Sequence, residues 1–448
     1  MREIKYERLG EAIYEEQLDN GLTVFVVPKF DFRQTYASFT TKYGSIDSEF
    51  VLPSKGERIR VPDGIAHFLE HKMFEEEHGD VFMDFAKLGA QANAFTTFDT
   101  TTYLFSSTNH ELENIGILVD FVQRPYFTDA NVEKEKGIIG QEIKMYEDNP
   151  NWRVYFGLLK ALYGKFPVAI DIAGTVESIA KITKEDLYDC YNTFYHPSNM
   201  VLFVIGPVDP ATVMSFVQEN QAKKSYQGQP PVARFLPQLP AHPDQRKVEA
   251  HLSLSQPRIL FGFKETLITP DADIRHRHEA AMEIWMDGIL GKGSDLYYSL
   301  IDEGLTDMGF GSDYELTSWY GHSMIGGNSD KPMELAERVK SALFEAARIG
   351  MPEVDFVRTK KKAIGRFMAL LDSPQGIANV YTSQKLRGID LFTYLSVLEE
   401  TTLDDVNRAI KMHVKDDQFA MSVVWPLSDA GAAEVGEGIA EKGQDGTN

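Results

Sequence analysis

Apolar positions along this chain fall into short strand-like and longer helix-like runs, and their order is repeated. Gly21–Lys29 (GLTVFVVPK) is dense in β-branched and aromatic residues and closes on Pro28, which predicts a buried strand. A second strand is predicted over 35–46, then a polar loop with Pro53, Gly56 and Pro62, then a helix from about Gly64. A short helix at 80–88 leads into a strand pair at 90–97 and 101–107. Helical periodicity follows over 111–123, 129–146 and 152–163, and Thr183 with Asp186 opens a further capped helix. A strand at 200–205 and a helix at 210–220 complete the first half. The second half predicts strands at 247–254 and 258–262, helices at 271–290 and 295–303, and strands at 306–314 and 318–326. Helices at 334–349, 353–371, 375–386 and 403–412 and a strand at 419–424 follow. The shared order predicts an α+β protein made of two similar domains in tandem, each an antiparallel-rich sheet with helices. Between the halves, residues 223–246 (KKSYQGQPPVARFLPQLPAHPDQR) hold five prolines and no period, the character of an extended linker. The expected domains are therefore 1–222 and 247–428, with a small, polar, acidic tail at 429–448.

Composition narrows the partners more than the fold. The length of 448 residues exceeds what one core supports. A net charge of −22 repels phosphate backbones and anionic lipid, so neither nucleic acid nor a membrane is an expected partner. The single cysteine, Cys190, excludes an internal disulfide and a cysteine-based zinc site, and its setting in the helix after Thr183 reads as a buried small residue. No run of about 18 apolar residues occurs, and the first residues lack the apolar stretch of a signal peptide. A reducing, cytoplasmic location is the expectation.

Chemistry concentrates in the helix beginning at Gly64, GIAHFLEHKMF. His67 and His71 are spaced i, i+4 and stack on one face, with Glu70 bordering them. Ile65, Phe68, Leu69 and Met73 fill the other sides, so three titratable groups form a narrow seam on an apolar helix. Burying them unpaired costs several kcal/mol, and a divalent metal removes that difficulty because neutral imidazole is a good zinc ligand. The alternative is a pair of ordinary histidines beside an acid. A second segment, NVEKEKGIIGQEIKMYED (131–148), places Glu142 within an apolar stripe read as Val132, Ile138, Ile139, Ile143 and Tyr146. Glu135 lies two turns earlier on that face, about 10 Å along the axis. Two histidines, one glutamate and an open fourth position make a catalytic rather than a structural zinc set. Carbonyl hydrolysis follows, the amide bond first among its substrates, with Glu70 taking a proton from the attacking water.

The order His67-Phe68-Leu69-Glu70-His71 is that of inverzincins. The chain resembles the pitrilysin family of zinc metallopeptidases, in its short bacterial form; the family includes insulin-degrading enzyme and the mitochondrial processing peptidases. Besides the helix, the likeness is carried by GAQANAFTTFDTTTYLF (89–105), EKEKGIIGQEIKMYEDNP (133–150) and AGTVESIAKITKEDLYDCYNTFYHPSNMVLFVIGPV (173–208). The resemblance implies one Zn²⁺ per chain held by His67, His71 and Glu142, Glu70 as general base, and Glu135 as the acid supporting the site. It also implies an edge strand at Asn93, Ala94, Phe95 and Thr96 that pairs with extended peptide substrates, and a fold forming half of a clamshell.

One departure stands out. The family's active assemblies use an Arg and a Tyr seven residues apart, in a pattern close to Leu-Arg-x-x-x-Gly-Leu-x-Tyr. The matching stretch here, SLIDEGLTD (299–307), has Leu300 and Asp307 in those places. A homologous partner chain supplying the Arg/Tyr pair, in a heterodimer, is the inference. The second half carries no His-x-x-Glu-His; its His276-Arg277-His278-Glu279 reads as a solvated helix start. Gly291-Lys292-Gly293-Ser294 lacks the spacing of a phosphate loop and reads as a helix-ending turn. Two other functions stay open on residues alone: a weak or inactive peptidase-like subunit, and an unrelated zinc hydrolase of small amides or esters.

Overall fold

A computed structural model describes residues 1–77 and 79–427; the tail expected at 429–448 lies outside the described residues. The structure is mixed α/β with two similar sheet-and-helix units. The first carries a seven-stranded sheet in the spatial order Arg2–Tyr6, Glu11–Gln17, Thr23–Pro28, Met200–Gly206, Thr35–Thr41, Thr101–Ser107, Gln91–Thr96. The second carries five strands in the order Lys247–Leu252, Phe419–Pro426, Arg258–Phe263, Gly321–Asn328, Gly311–Leu316. One plan underlies both. The last strand of each inserts beside the first long strand in parallel and beside the next strand in antiparallel fashion, as Met200–Gly206 does between Thr23–Pro28 and Thr35–Thr41. Met200–Gly206 and Thr35–Thr41 are buried at every position, the signature of a central strand covered on both faces.

Two strands escape the hydrophobic pattern. Arg2–Tyr6 and Glu11–Gln17 read REIKY and EAIYEEQ, and their side chains are mostly half-buried or exposed. Such edge-side strands need no apolar run.

The compact units are not the two contiguous halves. One comprises residues 1–143, 170–237 and 365–395; the other comprises 144–169, 238–364 and the chain from 396 onward. Each half therefore lends a helix to the other's sheet. Pro150–Tyr163 packs on Lys247–Leu252, Arg258–Phe263 and Phe419–Pro426. A Cβ at Gly157 would sit 2.2 Å from Ser422 Oγ, so the glycine admits the close helix–sheet approach. Pro374–Leu386 packs on Thr35–Thr41 and Met200–Gly206. Its Tyr381 ring lies 5.2 Å from Phe25 and 5.0 Å from Phe203, and Tyr36 Oη donates to Asn379 Oδ1 at 2.9 Å.

The stretch 223–246 is also less free than its composition suggests. Phe235 N donates to Glu49 O at 2.9 Å and Val51 N to Ala233 O at 3.0 Å, which pins the segment by an antiparallel bridge between Arg234 and Phe50 of the hairpin Glu49–Leu52/Glu57–Arg60. Arg234 Nε sits 2.9 Å from the buried Asp47 carboxylate. His276 and His278 are buried rather than solvated. Helix Ala272–Leu290 presses them inward, where His278 Nε2 meets Glu265 Oε2 at 3.3 Å and His413 Nδ1 meets the same oxygen at 2.8 Å.

Candidate metal centre

The helix Ile65–Met73 starts at Gly64, which adopts φ 91°. A Cβ there would lie 2.4 Å from Ala173 O, so only glycine fits both the left-handed backbone and the close approach. Ser178 Oγ donates to Asp63 O at 2.7 Å and ties the same junction from the other side. Phe68 and Leu69 are fully buried and fix the helix's rotation. That rotation turns His67 and His71 to one side, their ring centroids 4.6 Å apart.

Helix Asp129–Glu147 brings up the third group. Its buried stripe is Val132, Glu135, Ile139, Gly140 and Ile143; Ile138 is 47% exposed and does not belong to it. Glu142 thus borders the stripe instead of lying within it. Its Oε1 is 3.8 Å from His67 Nε2 and its Oε2 is 3.5 Å from His71 Nε2. Among the described residues, His67, His71 and Glu142 form the one group of three such side chains close enough to hold a metal ion, with one ligand atom from each, all within 4.8 Å of one another. The separations suit an ion better than direct hydrogen bonds. Tetrahedral ligands about 2.0–2.1 Å from zinc stand about 3.3 Å apart, whereas an N–H···O bond spans about 2.7–3.2 Å. Two imidazoles and a carboxylate are also the donor types zinc favours.

Glu135 accepts no ligand role in this geometry. Its Oε1 meets His71 Nδ1 at 3.2 Å, on the far side of the ring from Glu142. That contact fixes the tautomer that turns the Nε2 lone pair toward Glu142. Burial is the largest influence on Glu135 and favours its neutral form, but the His71 hydrogen bond and the Lys72 charge outweigh it and hold its pKa below the usual value. His67 is pulled down to about 4, chiefly by burial and then by His71, so its ring is neutral at pH 7. For His71, burial opposes protonation, and the Glu135 hydrogen bond with the Glu70 and Glu142 charges more than offsets it, raising its pKa.

Glu70 is 7% exposed. Burial pushes its carboxyl up to about 7, against the hydrogen bond that Thr96 Oγ1 donates to Oε2 at 2.6 Å. A carboxyl poised there can take and return a proton near neutrality. Thr96 ends Gln91–Thr96, the outermost strand of its sheet. Thr97 N bonds Thr100 O at 2.8 Å, so by antiparallel alternation Phe95, Asn93 and Gln91 pair inward with Thr102, Leu104 and Ser106. Ala92, Ala94 and Thr96 turn their main-chain groups to the open edge. Asn93 is exposed, and its Oδ1 accepts from Ala94 N at 2.9 Å.

The two places where the resemblance leads one to expect an Arg and a Tyr hold Leu300 and Asp307. Leu300 is fully buried, while Asp307 Oδ1 accepts from Gly309 N at 2.7 Å and its Oδ2 from Asn328 Nδ2 at 2.8 Å.

The sequence pattern of the insulinase family (peptidase family M16) matches residues 60–176, and that of the peptidase M16 inactive domain matches 181–363. The uncharacterized zinc protease YmfH of Bacillus subtilis (strain 168) is 47% identical over 428 residues, covering 96% of this chain and 100% of YmfH. The chain belongs to peptidase family M16. An M16-like protein of Alicyclobacillus acidocaldarius superposes with a TM-score of 0.90 at 42% identity, over 95% of this M16 chain and 100% of that one. The periplasmic protease PqqL of Escherichia coli shares the fold at 18% identity and a TM-score of 0.70, over 97% of this chain and 50% of PqqL. This M16 chain thus spans one half of a longer relative. No described helix is long and apolar enough to cross a membrane.

Two site features lay outside the sequence reading. Lys72 follows His71 in GIAHFLEHKMF and was not part of the seam; its spacing four after the fully buried Phe68 was the available signal. The Thr96–Glu70 bond joins segments 26 residues apart and leaves no mark in the sequence.

Proposed function

We propose that the chain is a zinc-dependent endopeptidase that hydrolyses short or unfolded peptides. The observation that carries this reading is the convergence of His67, His71 and Glu142 beside Glu70, itself bonded to an open edge strand. His67, His71 and Glu142 would hold one zinc ion, which supplies a Lewis acid for the scissile carbonyl and the attacking water. Glu70 takes the proton from that water and returns it to the leaving amine. Thr96 keeps the Glu70 carboxylate pointed and favours its charged form. The main-chain groups of Ala92, Ala94 and Thr96 pair with an extended peptide, recognition that reads backbone more than side chain. Glu135 holds His71 in its ligand tautomer.

Leu300 and Asp307 favour a second element in the reading. This chain lacks the Arg/Tyr pair of the active M16 assemblies, and a homologous partner chain supplies it. Without that partner the chain is a weak or inactive peptidase-like subunit. The cytoplasm is the proposed location.

The test is zinc content and cleavage of a quenched peptide by the purified chain and its variants. Glu70→Gln is expected to retain zinc and lose roughly 10²–10⁴-fold in turnover. His71→Ala and Glu142→Gln are each expected to lose the metal. Full zinc in either rejects that ligand, and unchanged turnover in Glu70→Gln removes its role.

A further inference from the structure

Lys72 is a lysine with a fully buried side chain, one residue past His71 on a helix whose neighbouring positions Phe68, Leu69 and Met73 are core. Lysine is almost never buried without a partner, because stripping its ammonium of water is costly. Here Nζ meets two carboxylates: Glu75 Oε2, and Glu135 Oε2 at 3.5 Å. The two contacts differ in kind. Glu75 is a third exposed and lies three residues on, in the short strand Glu75–Glu76 just past the helix, whereas Glu135 is 9% exposed and comes from helix Asp129–Glu147. Glu135 spends its other oxygen on His71 Nδ1 at 3.2 Å. Three side chains therefore form a line, Lys72–Glu135–His71, in which the imidazole meets one oxygen of a buried carboxylate and the ammonium pairs with the other. A carboxylate contacted at both oxygens is restrained from rotating, and its His71 contact is the one that turns Nε2 toward Glu142 3.5 Å away. A surface ion pair would do nothing of this sort, since exposed pairs hold their geometry weakly; this one has no exposed cation.

We propose that Lys72 is a positioning residue of the metal centre, fixing the Glu135 carboxylate that in turn fixes His71. The inference rests on the reading of His67, His71 and Glu142 as zinc ligands and concerns the support of one of them. It gives the lysine in GIAHFLEHKMF a reason beyond packing. Losing an outer partner of a ligand histidine lowers metal affinity by about 10–100-fold, and that is the effect expected here.

The experiment measures zinc affinity by competition with a chelator, on the full chain, for wild type, Lys72→Met, Glu135→Gln and the double variant. Cobalt substitution reports ligand geometry through its visible absorption. Lys72→Met is expected to weaken zinc by about 10–100-fold and to alter the cobalt spectrum. Because Lys72 acts through Glu135, the double variant is expected to bind zinc no more weakly than Glu135→Gln alone. Wild-type affinity and spectrum in Lys72→Met overturn the proposal, as do additive losses in the double variant. Should Lys72→Met fail to fold, the double variant, which removes both charges together, carries the same comparison against Glu135→Gln. Failure of the zinc reading looks different: wild type itself binds no zinc, or His71→Ala binds as well as wild type.

Discussion

The exchanged helix Pro374–Leu386 makes a sharp prediction about the part of the chain that carries every candidate ligand. Residues 1–237 contain His67, Glu70, His71, Glu135 and Glu142 together with all seven strands of their sheet. They lack the segment 365–395 that completes the same compact unit. From that segment Ile377 and Tyr381 are fully buried, Leu391 is 1% and Phe392 3% exposed. Moving such side chains from core to water costs about 1.5–3 kcal/mol each, hence roughly 6–12 kcal/mol for the four. Removing the segment also uncovers Phe25, Phe203 and Tyr36 on the sheet. That loss matches the whole stability of a typical domain, about 5–15 kcal/mol. The fragment 1–237 is therefore expected to show no cooperative unfolding transition by circular dichroism. It is also expected to bind zinc only with the weak affinity of an unstructured peptide. Adding a synthetic peptide of residues 365–395 should restore both properties. A fragment that unfolds cooperatively and binds zinc as the full chain does would refute the reasoning, since the exchanged helix would then be dispensable.

Thr96→Val removes a hydrogen bond made to charged Glu70. The Glu70 pKa, already pushed up to about 7 by burial, then rises further, and the acidic limb of kcat/KM should move to higher pH; an unmoved limb would exclude the coupling. His322 is fully buried with its pKa held down to about 3, by burial and then by His413. Its neutral form is favoured in the fold, so the stability it contributes is complete above the ordinary value of 6.5 and is lost as pH falls toward 3. At pH 5 the loss is about 2 kcal/mol, measurable by urea unfolding, and His322→Gln should flatten the slope between pH 7 and 5; an unchanged slope assigns the acid sensitivity elsewhere. Finally, peptide cleavage by the chain alone should be low and should rise on adding a homologous chain bearing the Arg/Tyr pair. High turnover by the isolated chain would count against a partner.

Local geometry explains what could be read from the sequence. The helical period alone puts His67 and His71 on one face, and strand patterning located Gln91–Thr96 and Thr101–Ser107 within about a residue. The apolar stripe that points to Glu142 is only partly right: Ile138 faces outward and Gly140 inward, so the covered face follows how the helix is packed and not the hydrophobicity of each position. The hairpin expected at 306–314 and 318–326 runs Gly311–Leu316 and Gly321–Asn328, since Asp307 caps a turn over the earlier residues. The exchange of helices was invisible. An amphipathic helix announces that it has a face to bury, never which sheet it covers, so 222 and 247 looked like natural boundaries.

Because the first unit takes its last helix from residues 365–395, order of synthesis constrains when the metal centre can exist. About 250 residues separate Glu142 from the end of that segment, which at roughly 5–20 residues per second takes the ribosome about 10–50 s. Throughout that interval the nascent chain displays both imidazoles and all the acids without the sheet cover that holds them in register. On the proposed zinc reading, metal loading would be a late event, following translation of most of the polypeptide, and a truncated product ending before that point would carry the candidate ligands with no scaffold to aim them.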